Sequence, residues 1–457
     1  MKRASLLGLV LVAMACAKAG SPPPAPAPPA LPGLDRAALA ERVRGEMRHA
    51  WRGYETYAWG KDELNPISKT AHNWHPEPVY MTAIDALDTL IMMGFKDEAK
   101  RTQDYLAENL KFDRDMEVQN FEITIRVLGG LLTAYQMTGD ARMLTLAEDL
   151  GRRLLPVFDS KTGMPYRYVN LRTGKTREAV SNPAEIGTLL LEFGTLGKLT
   201  KKPEFYDKAK RALVAVYERR SPLGLVGTNI DVETGAWTNA SSHVGGAIDS
   251  YYEYLLKCDK LFGDPDCRKM WDASLKAMTT HLEDRVPSGL WYGSADMNTG
   301  ARTRTTFGAL HAFLPAVLAM GGELERAKEL QASAFYMWQK AGIEPEVFDY
   351  KADKIVYPGY PLRPEIIESA YYLHRYTKDP RYLEMGRTML DGLVAHCRTE
   401  VGYASLKNVE TKEKEDRMPS FFLAETLKYL YVLFDEKSPG PEDVIYNTEA
   451  HPLRKTW

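Results

Sequence analysis

The sequence predicts an all-α protein, a closed (α/α)7 barrel in which seven helical hairpins form a toroid. Three observations carry this. From residue 35 the chain reads as helix after helix with little strand-like alternation, one turn scheme recurs six times, and the first and last helices are each left without a neighbour. At 457 residues there is room for two or three ordinary domains or one large one, and the recurrence favours one.

The N-terminus reads as a targeting segment, residues 1–17. Lys2 and Arg3 precede the apolar run "LLGLVLVAMACA", which is too short to cross a bilayer as a helix. "AMAC" resembles a bacterial lipobox, with Ala13 where Leu is the stronger residue, and processing there leaves Cys16 as a lipidated N-terminus. A plain secretory signal cut after Ala15 or Ala17 is the alternative. Residues 18–34 form a Pro/Ala-rich linker. In "SPPPAPAPPALPG" the prolines lack the N–H that a helix or a sheet ladder needs, so the segment is a stiff tether. Both readings place the folded part, residues 35–457, outside the cytoplasm: periplasmic, anchored at the outer membrane through Cys16 alone, or secreted.

The first helix carries Leu39, Val43, Met47, Trp51 and Tyr54 in one 3.6-period stripe. The recurring turn follows in "MMGFKDEAKRTQDYL", "QMTGDARMLTLAEDL", "KLTKKPEFYDKAKRAL", "LFGDPDCRKMWDASL", "AMGGELERAKELQAS" and "RYTKDPRYLEMGRTML". In each a helix ends, a polar turn with Gly or Pro follows, and a second amphipathic helix begins. The turns lie about 45 to 62 residues apart, near the spacing of repeat architectures. Six turns make six hairpins. The last helix, residues 421–434, has nothing after it, because Pro439, Gly440 and Pro441 break any continuation. An open solenoid needs polar capping helices. Both terminal helices here are instead rich in aromatics, so pairing them with each other makes a seventh hairpin and closes the ring.

In such a ring the inner helices run the same way, and their N-terminal ends meet at one face. Near those ends stand Asp85 and Asp88, Glu122, Glu185, Asp249, Glu365 and Glu425, while the repeat with "FGALHAFLP" has His311. One carboxylate at a helix N-terminus is ordinarily a favourable macrodipole interaction. Acids on six of seven inner helices repel one another and call for a cation or a shared proton. Arg126 and Arg363, close to Glu122 and Glu365, are such cations, and a metal ion is another. The tail "EDVIYNTEAHPLRKTW" can thread back into the ring and bring Thr448 near its axis. Threonine offers hydroxyl and carbonyl oxygens, hard ligands suited to Ca²⁺. On these residues alone a tail that merely plugs the ring is the favoured reading, with calcium ligation the alternative.

Composition narrows the partners. A net charge of −2 without a basic run excludes a nucleic-acid binder. After processing, Cys258, Cys267 and Cys397 remain, which is no disulfide framework. Cys258 and Cys267 either pair across "DKLFGDPD" or stay buried thiols. A monomer is expected.

Seven stretches, in order "AWGKDELNPIS", "AIDALDTLIMMG", "FEITIRVLGGLLTAY", "DSYYEYLLK", "LRPEIIESAYYL", "SFFLAETLKYLYVLF" and "NTEAHPL", make the chain resemble glycoside hydrolase family 47, the class I α-1,2-mannosidases. The resemblance runs from near Trp51 to Pro452 and points to a bacterial member. It implies an (α/α)7 barrel and Ca²⁺-dependent, inverting exo-hydrolysis of terminal α-1,2-linked mannose, with mannobiose and high-mannose glycans as substrates. Position by position, it implies Glu122 as general acid, Glu365 as general base and Asp249 as a third catalytic carboxylate. Inversion needs one carboxyl to protonate the leaving oxygen and another to activate water across the sugar. Between Glu122 and Asp249 as donor the sequence does not decide, and Glu122 is preferred. Thr448 matches the direct protein ligand to calcium, Glu185, Glu425 and Glu449 match acids that hold calcium waters or sugar hydroxyls, and Phe421 matches an aromatic beneath the sugar. Arg126 and Arg363 complete the expected substrate site.

Three departures bear on substrate choice. Ala247 stands where endoplasmic-reticulum members carry an Arg, Ala309 stands where animal members carry a His with His311 two residues on, and Ala312 stands at a Cys of the family's internal disulfide. The rival readings are a non-catalytic, Ca²⁺-dependent mannoside-binding protein on the same scaffold and a metal-independent hydrolase on an (α/α) barrel. Retention of Glu122, Asp249 and Glu365 together speaks against the first, and "NTEAHPL" against the second.

Overall fold

The computed structural model describes residues 34–457, so the targeting segment and all but the last linker residue lie outside the described residues. Seven inner helices ring an axis. They are Met81–Asp85 with Leu87–Met92, Gly129–Thr138, Pro183–Gly187 with Leu190–Thr200, Asp249–Phe262, Leu314–Gly321, Glu365–Thr377 and Leu427–Phe434. Each of the first six is followed by an outer helix, and the outer partner of Leu427–Phe434 is the first helix, Arg36–Tyr57. The stripe Leu39, Val43, Met47, Trp51 and Tyr54 is buried along this pairing, and Arg36 Nη2 donates to the Leu433 carbonyl at 3.1 Å. Neighbouring inner helices touch all the way round, and Leu87–Met92 closes the circle against the π-helical turn Phe422–Thr426. A Cβ on Gly53 would lie 1.6 Å from the Val401 carbonyl oxygen, so only glycine lets the first helix come so close to the segment after Arg381–His396.

The short turns between inner and outer helices share a device. Each has a residue in the left-handed region: Gly94 (φ +76°), Gly139 (+74°), Lys201 (+58°), Gly263 (+68°), Gly322 (+96°) and Lys378 (+58°). Such a cap satisfies helix-end carbonyls and favours glycine. Lys201→Gly and Lys378→Gly are each expected to stabilise the fold by about 0.5–1 kcal/mol, the left-handed penalty less the added freedom of the unfolded chain. Urea midpoints check this, and an unchanged or lower midpoint would count against strain at these caps.

The long connections all lead into the inner helices' N-termini. They carry short strands of two to four residues in two- and three-stranded sheets. These ribbons are the main departure from the sequence expectation, because alternation has no length over which to show in two to four residues. Cys258 and Cys267 form a disulfide across the turn between Asp249–Phe262 and Pro265–His281, and Cys397 is a buried free thiol. Among the described residues no helix is long and apolar enough to cross a membrane.

After Phe434 the tail turns back into the barrel. Ile445–Tyr446 pairs antiparallel with Pro452–Leu453, so residues 447–451 form the tip of a small hairpin. Asn447 organises the tip: its Oδ1 accepts from the Glu449 and His451 amides at 2.9 and 2.8 Å, and its Nδ2 donates to the Ile125 carbonyl at 2.9 Å and to Glu192 at 2.7 Å.

Candidate active site

A cavity of about 400 Å³ opens at the end of the barrel where the inner helices begin. It is lined by ten residues singled out in the sequence as catalytic, substrate-binding or calcium-binding: Glu122, Arg126, Glu185, Asp249, Arg363, Glu365, Phe421, Glu425, Thr448 and Glu449. Backbone geometry aims several of them. Asp249 and Glu365 are the first residues of their helices. Ala247 (φ +77°) and Leu362 (φ +65°), shortly before them, are held in the left-handed region. Such strained non-glycine positions concentrate at functional sites. Glu185 sits in the first turn of Pro183–Gly187, whose N-cap Asn182 accepts from the Glu185 amide at 2.9 Å. Glu122 leads into the π-helical stretch Ile123–Leu128, and Glu425 lies within Phe422–Thr426. Such wide turns recur at functional sites.

Two arginines answer the acids. Arg126 Nε donates to Glu122 at 2.8 Å, and its Nη1 meets Glu449 and, at 3.4 Å, Asp85. Arg363 grips Glu346 in a two-pronged bond at 2.6 and 3.1 Å. Both guanidinium groups approach the Phe421 ring, at 5.7 and 5.9 Å from its centre. Arg167, which the sequence reading missed, holds Glu185 with bonds of 2.6 and 2.9 Å.

Five lining carboxyls are pushed toward their neutral forms: Asp249, Glu365 and Glu425 and, likewise chiefly through burial, Glu368 and Glu449. Asp249, partly open to the cavity but walled by protein, rises to about 6 through desolvation, with Glu253 adding to it and Arg363 opposing. Glu365 rises to about 7 through burial, against the pull of Arg363, with Glu346 and Asp249 reinforcing the rise. Glu425 is driven well above the carboxylate range by burial and by the neighbouring acids Glu449 and Glu365. Glu365 Oε2 is buried without a hydrogen-bond partner among the described residues. A cluster so rich in unpaired oxygen and short of positive charge suits a hard cation, and the donor set of Thr448 with surrounding carboxylates is all oxygen.

Three expected members of the rim lie elsewhere. Asp85 and Asp88 are fully buried and do not line the cavity; they hold the tail. Asp88 bridges Lys428 Nζ at 2.8 Å and His451 Nδ1 at 2.7 Å, while Asp85 accepts from Ser420 and faces His451 Nε2 at 3.7 Å. His311 also stands outside the cavity, where its Nδ1 accepts from the Gly308 amide and desolvation holds it neutral, at about 3. Two lining acids were missed, Glu253 and Glu368. Their signal was present, since they follow Asp249 and Glu365 by one helical turn on the same face. Glu253 pairs with buried Lys257, and Glu368 accepts from the Tyr429 hydroxyl at 3.1 Å.

The sequence model of glycosyl hydrolase family 47 matches residues 46–455. Alpha-mannosidase I MNS5 of Arabidopsis thaliana is 38% identical over 92% of this chain and 78% of its own. The mouse (Mus musculus) ER degradation-enhancing alpha-mannosidase-like protein 2 is 36% identical over 98% of this chain and 82% of its own. Among solved structures, an alpha-1,2-mannosidase from Trichoderma reesei superposes with a TM-score of 0.85 at 27% identity, covering 92% of this chain and 99% of that one.

Proposed function

Because the chain belongs to glycosyl hydrolase family 47, we propose that it is a calcium-dependent, inverting exo-α-1,2-mannosidase that removes terminal mannose from oligosaccharides or N-glycans. The observation that supports this most is the convergence of Glu122, Asp249, Glu365 and Thr448 on one sugar-sized cavity. Phe421, flanked by Arg126 and Arg363, offers the terminal mannose an apolar face, and the carboxylates take its hydroxyls. Glu365, at the helix start with one oxygen free, removes a proton from water as that water attacks C1. On the other side of the sugar a carboxyl gives its proton to the departing oxygen, so the C1–O bond breaks as the new one forms and the anomer inverts. Thr448 and the carboxylates around it would hold a calcium ion, which would supply a fixed positive charge beside the sugar hydroxyls.

The resemblance gives the leaving-group proton to Glu122. A second reading has Asp249 as donor: Glu122 is paired with Arg126, whereas desolvation keeps Asp249 near 6. Turnover of 2,4-dinitrophenyl α-mannoside, whose leaving group needs no proton, separates them. Glu122→Gln is expected to keep more activity on this substrate, relative to mannobiose, than Asp249→Asn does. The reverse ranking would move the role to Asp249.

Proton NMR of α-1,2-mannobiose digestion tests the whole reading. Fresh β-mannose with Ca²⁺, lost with EDTA, is expected. Released α-mannose would mean retention, and absence of release from any α-1,2-mannoside would favour a binding protein. Thr448→Ala is expected to weaken calcium binding by calorimetry, and wild-type affinity would remove Thr448 from the ligand set. The leader at residues 1–17 leads us to place the enzyme outside the cytoplasm of a bacterial host, acting on external glycans. Labelling with palmitate, lost in Cys16→Ser, would separate the anchored from the freely secreted form.

A further inference from the structure

We propose that Tyr254, oriented by Glu192, is a positioning residue that sets Thr448 in place for a calcium ion before the ion binds. This rests on the reading of Thr448 as a calcium ligand given above.

The tip of the tail satisfies most of its own backbone. The Asn447 amide donates to the His451 carbonyl at 3.0 Å and the Ala450 amide to the Asn447 carbonyl at 3.1 Å, while the Glu449 and His451 amides go to Asn447 Oδ1. Only the Thr448 amide leaves the tail, donating to the Tyr254 hydroxyl oxygen at 3.3 Å. Among the described residues this is the one hydrogen bond that Thr448 makes. Its hydroxyl and carbonyl oxygens, the atoms a hard cation takes, are left free at the cavity.

The Tyr254 hydroxyl has a fixed direction. It donates to Glu192 Oε1 at 2.6 Å, which turns an oxygen lone pair toward the Thr448 amide. Without that acceptor the hydroxyl could aim its proton at the amide, and donor would face donor. Glu192 Oε1 also accepts from Asn447 Nδ2, so one carboxyl oxygen holds both the tyrosine and the residue next to Thr448. Tyr254 and Glu192 are fully buried, where water does not replace a lost partner. On its other side the tip presses on Gly129, where a Cβ would stand 2.8 Å from Asn447 Nδ2 and 3.0 Å from the His451 ring.

Tyr254 lies on the inner helix that Asp249 begins, and Glu192 lies on Leu190–Thr200. Two inner helices thus fix the place of Thr448, and the tail's own turn does not do so alone. A ligand ordered in advance spares that cost when the ion arrives. Partners one step behind a metal ligand typically govern affinity by about 10- to 100-fold.

The test is calorimetric calcium titration of the metal-free wild type, Tyr254→Phe, Thr448→Ala and Tyr251→Phe. It is joined by hydrogen exchange of the Thr448 amide in the same metal-free proteins, read by fragmentation mass spectrometry. Tyr251 is the control, equally buried on the same helix with no hydrogen bond from its hydroxyl to the tail. The metal-free wild type is expected to protect the Thr448 amide from exchange. Tyr254→Phe should lose that protection and bind calcium about tenfold more weakly, with a melting temperature close to that of Tyr251→Phe. Rapid exchange of the Thr448 amide in the metal-free wild type would overturn the proposal, and so would wild-type calcium affinity in Tyr254→Phe. An equal loss of affinity in Tyr251→Phe would make the effect one of core packing, again against it. If Thr448→Ala binds weakly and Tyr254→Phe normally, the anchor alone falls. If Thr448→Ala binds calcium as the wild type does, the calcium reading falls and takes the anchor with it.

Discussion

Glu365→Gln should lower turnover of α-1,2-mannobiose by about 10²- to 10⁴-fold, the range of a positioned general base, while mannoside binding stays measurable. The side chain keeps its volume and loses only its ability to take a proton. Its surroundings explain why this one change has so large an effect. Glu365 opens its helix, is buried with one oxygen unpartnered, and is raised to about 7 by that burial. A base in that range is ionised often enough at neutral pH to work and basic enough to pull a proton from water. The same substitution removes a carboxyl crowded by Glu346 and Asp249, so the melting temperature should hold or rise. Single-turnover kinetics and calorimetry with mannobiose separate chemistry from binding, and retained turnover would remove Glu365 as the base.

Asp88→Leu should destabilise the protein by about 3–5 kcal/mol, because it leaves Lys428 and His451 buried with charges unmatched. The damage should reach the active site. His451 and the Ala450 carbonyl, which accepts from Lys428 at 2.7 Å, belong to the hairpin tip that carries Thr448, so calcium affinity should fall together with stability. The wild type should show the same coupling as pH rises. Burial opposes charge on His451, but Asp88 and Asp85 outweigh it and lift its pKa to about 9 from an ordinary 6.5. A raised folded-state value stabilises the fold fully below 6.5, and that stabilisation is lost as pH climbs through about 9. Asp88 works the other way. Burial opposes its charge, Lys428 and His451 outweigh that and hold its carboxyl below the usual range, so its contribution appears above about 3.8 and is lost in acid. Melting temperature and calcium titration between pH 6 and 10 read this out, with a stability flat across that range as the contrary result.

The barrel was legible because its signals are long. Helical stripes and a recurring turn survive reading from one sequence, and Gly94, Gly139, Gly263 and Gly322 all mark real left-handed caps. The ribbons were not legible, since strands such as Thr176–Arg177 are too short for any periodicity. The acids were found as a class but not sorted by depth. Asp88 lies in the first turn of its helix as Asp249 does, Asp85 ends the short helix before it, and only packing reveals that they face the tail and not the cavity. One clue was readable: Lys428 interrupts the apolar run "TLKYLYVLF", and a lysine in such a place needs a buried partner.

The joint between the first and last helices has a consequence for how the molecule lasts. Six hairpins are zipped by neighbours along the chain and can reopen and reclose locally. The seventh joins residues such as Arg36 and Leu433, 397 positions apart. Bringing such distant ends together costs about 4 kcal/mol more loop entropy than closing a three-residue turn. The barrel thus behaves like a bracelet with a clasp. On loop entropy alone the clasp is expected to be the last contact to form and, once parted, the slowest to find itself again.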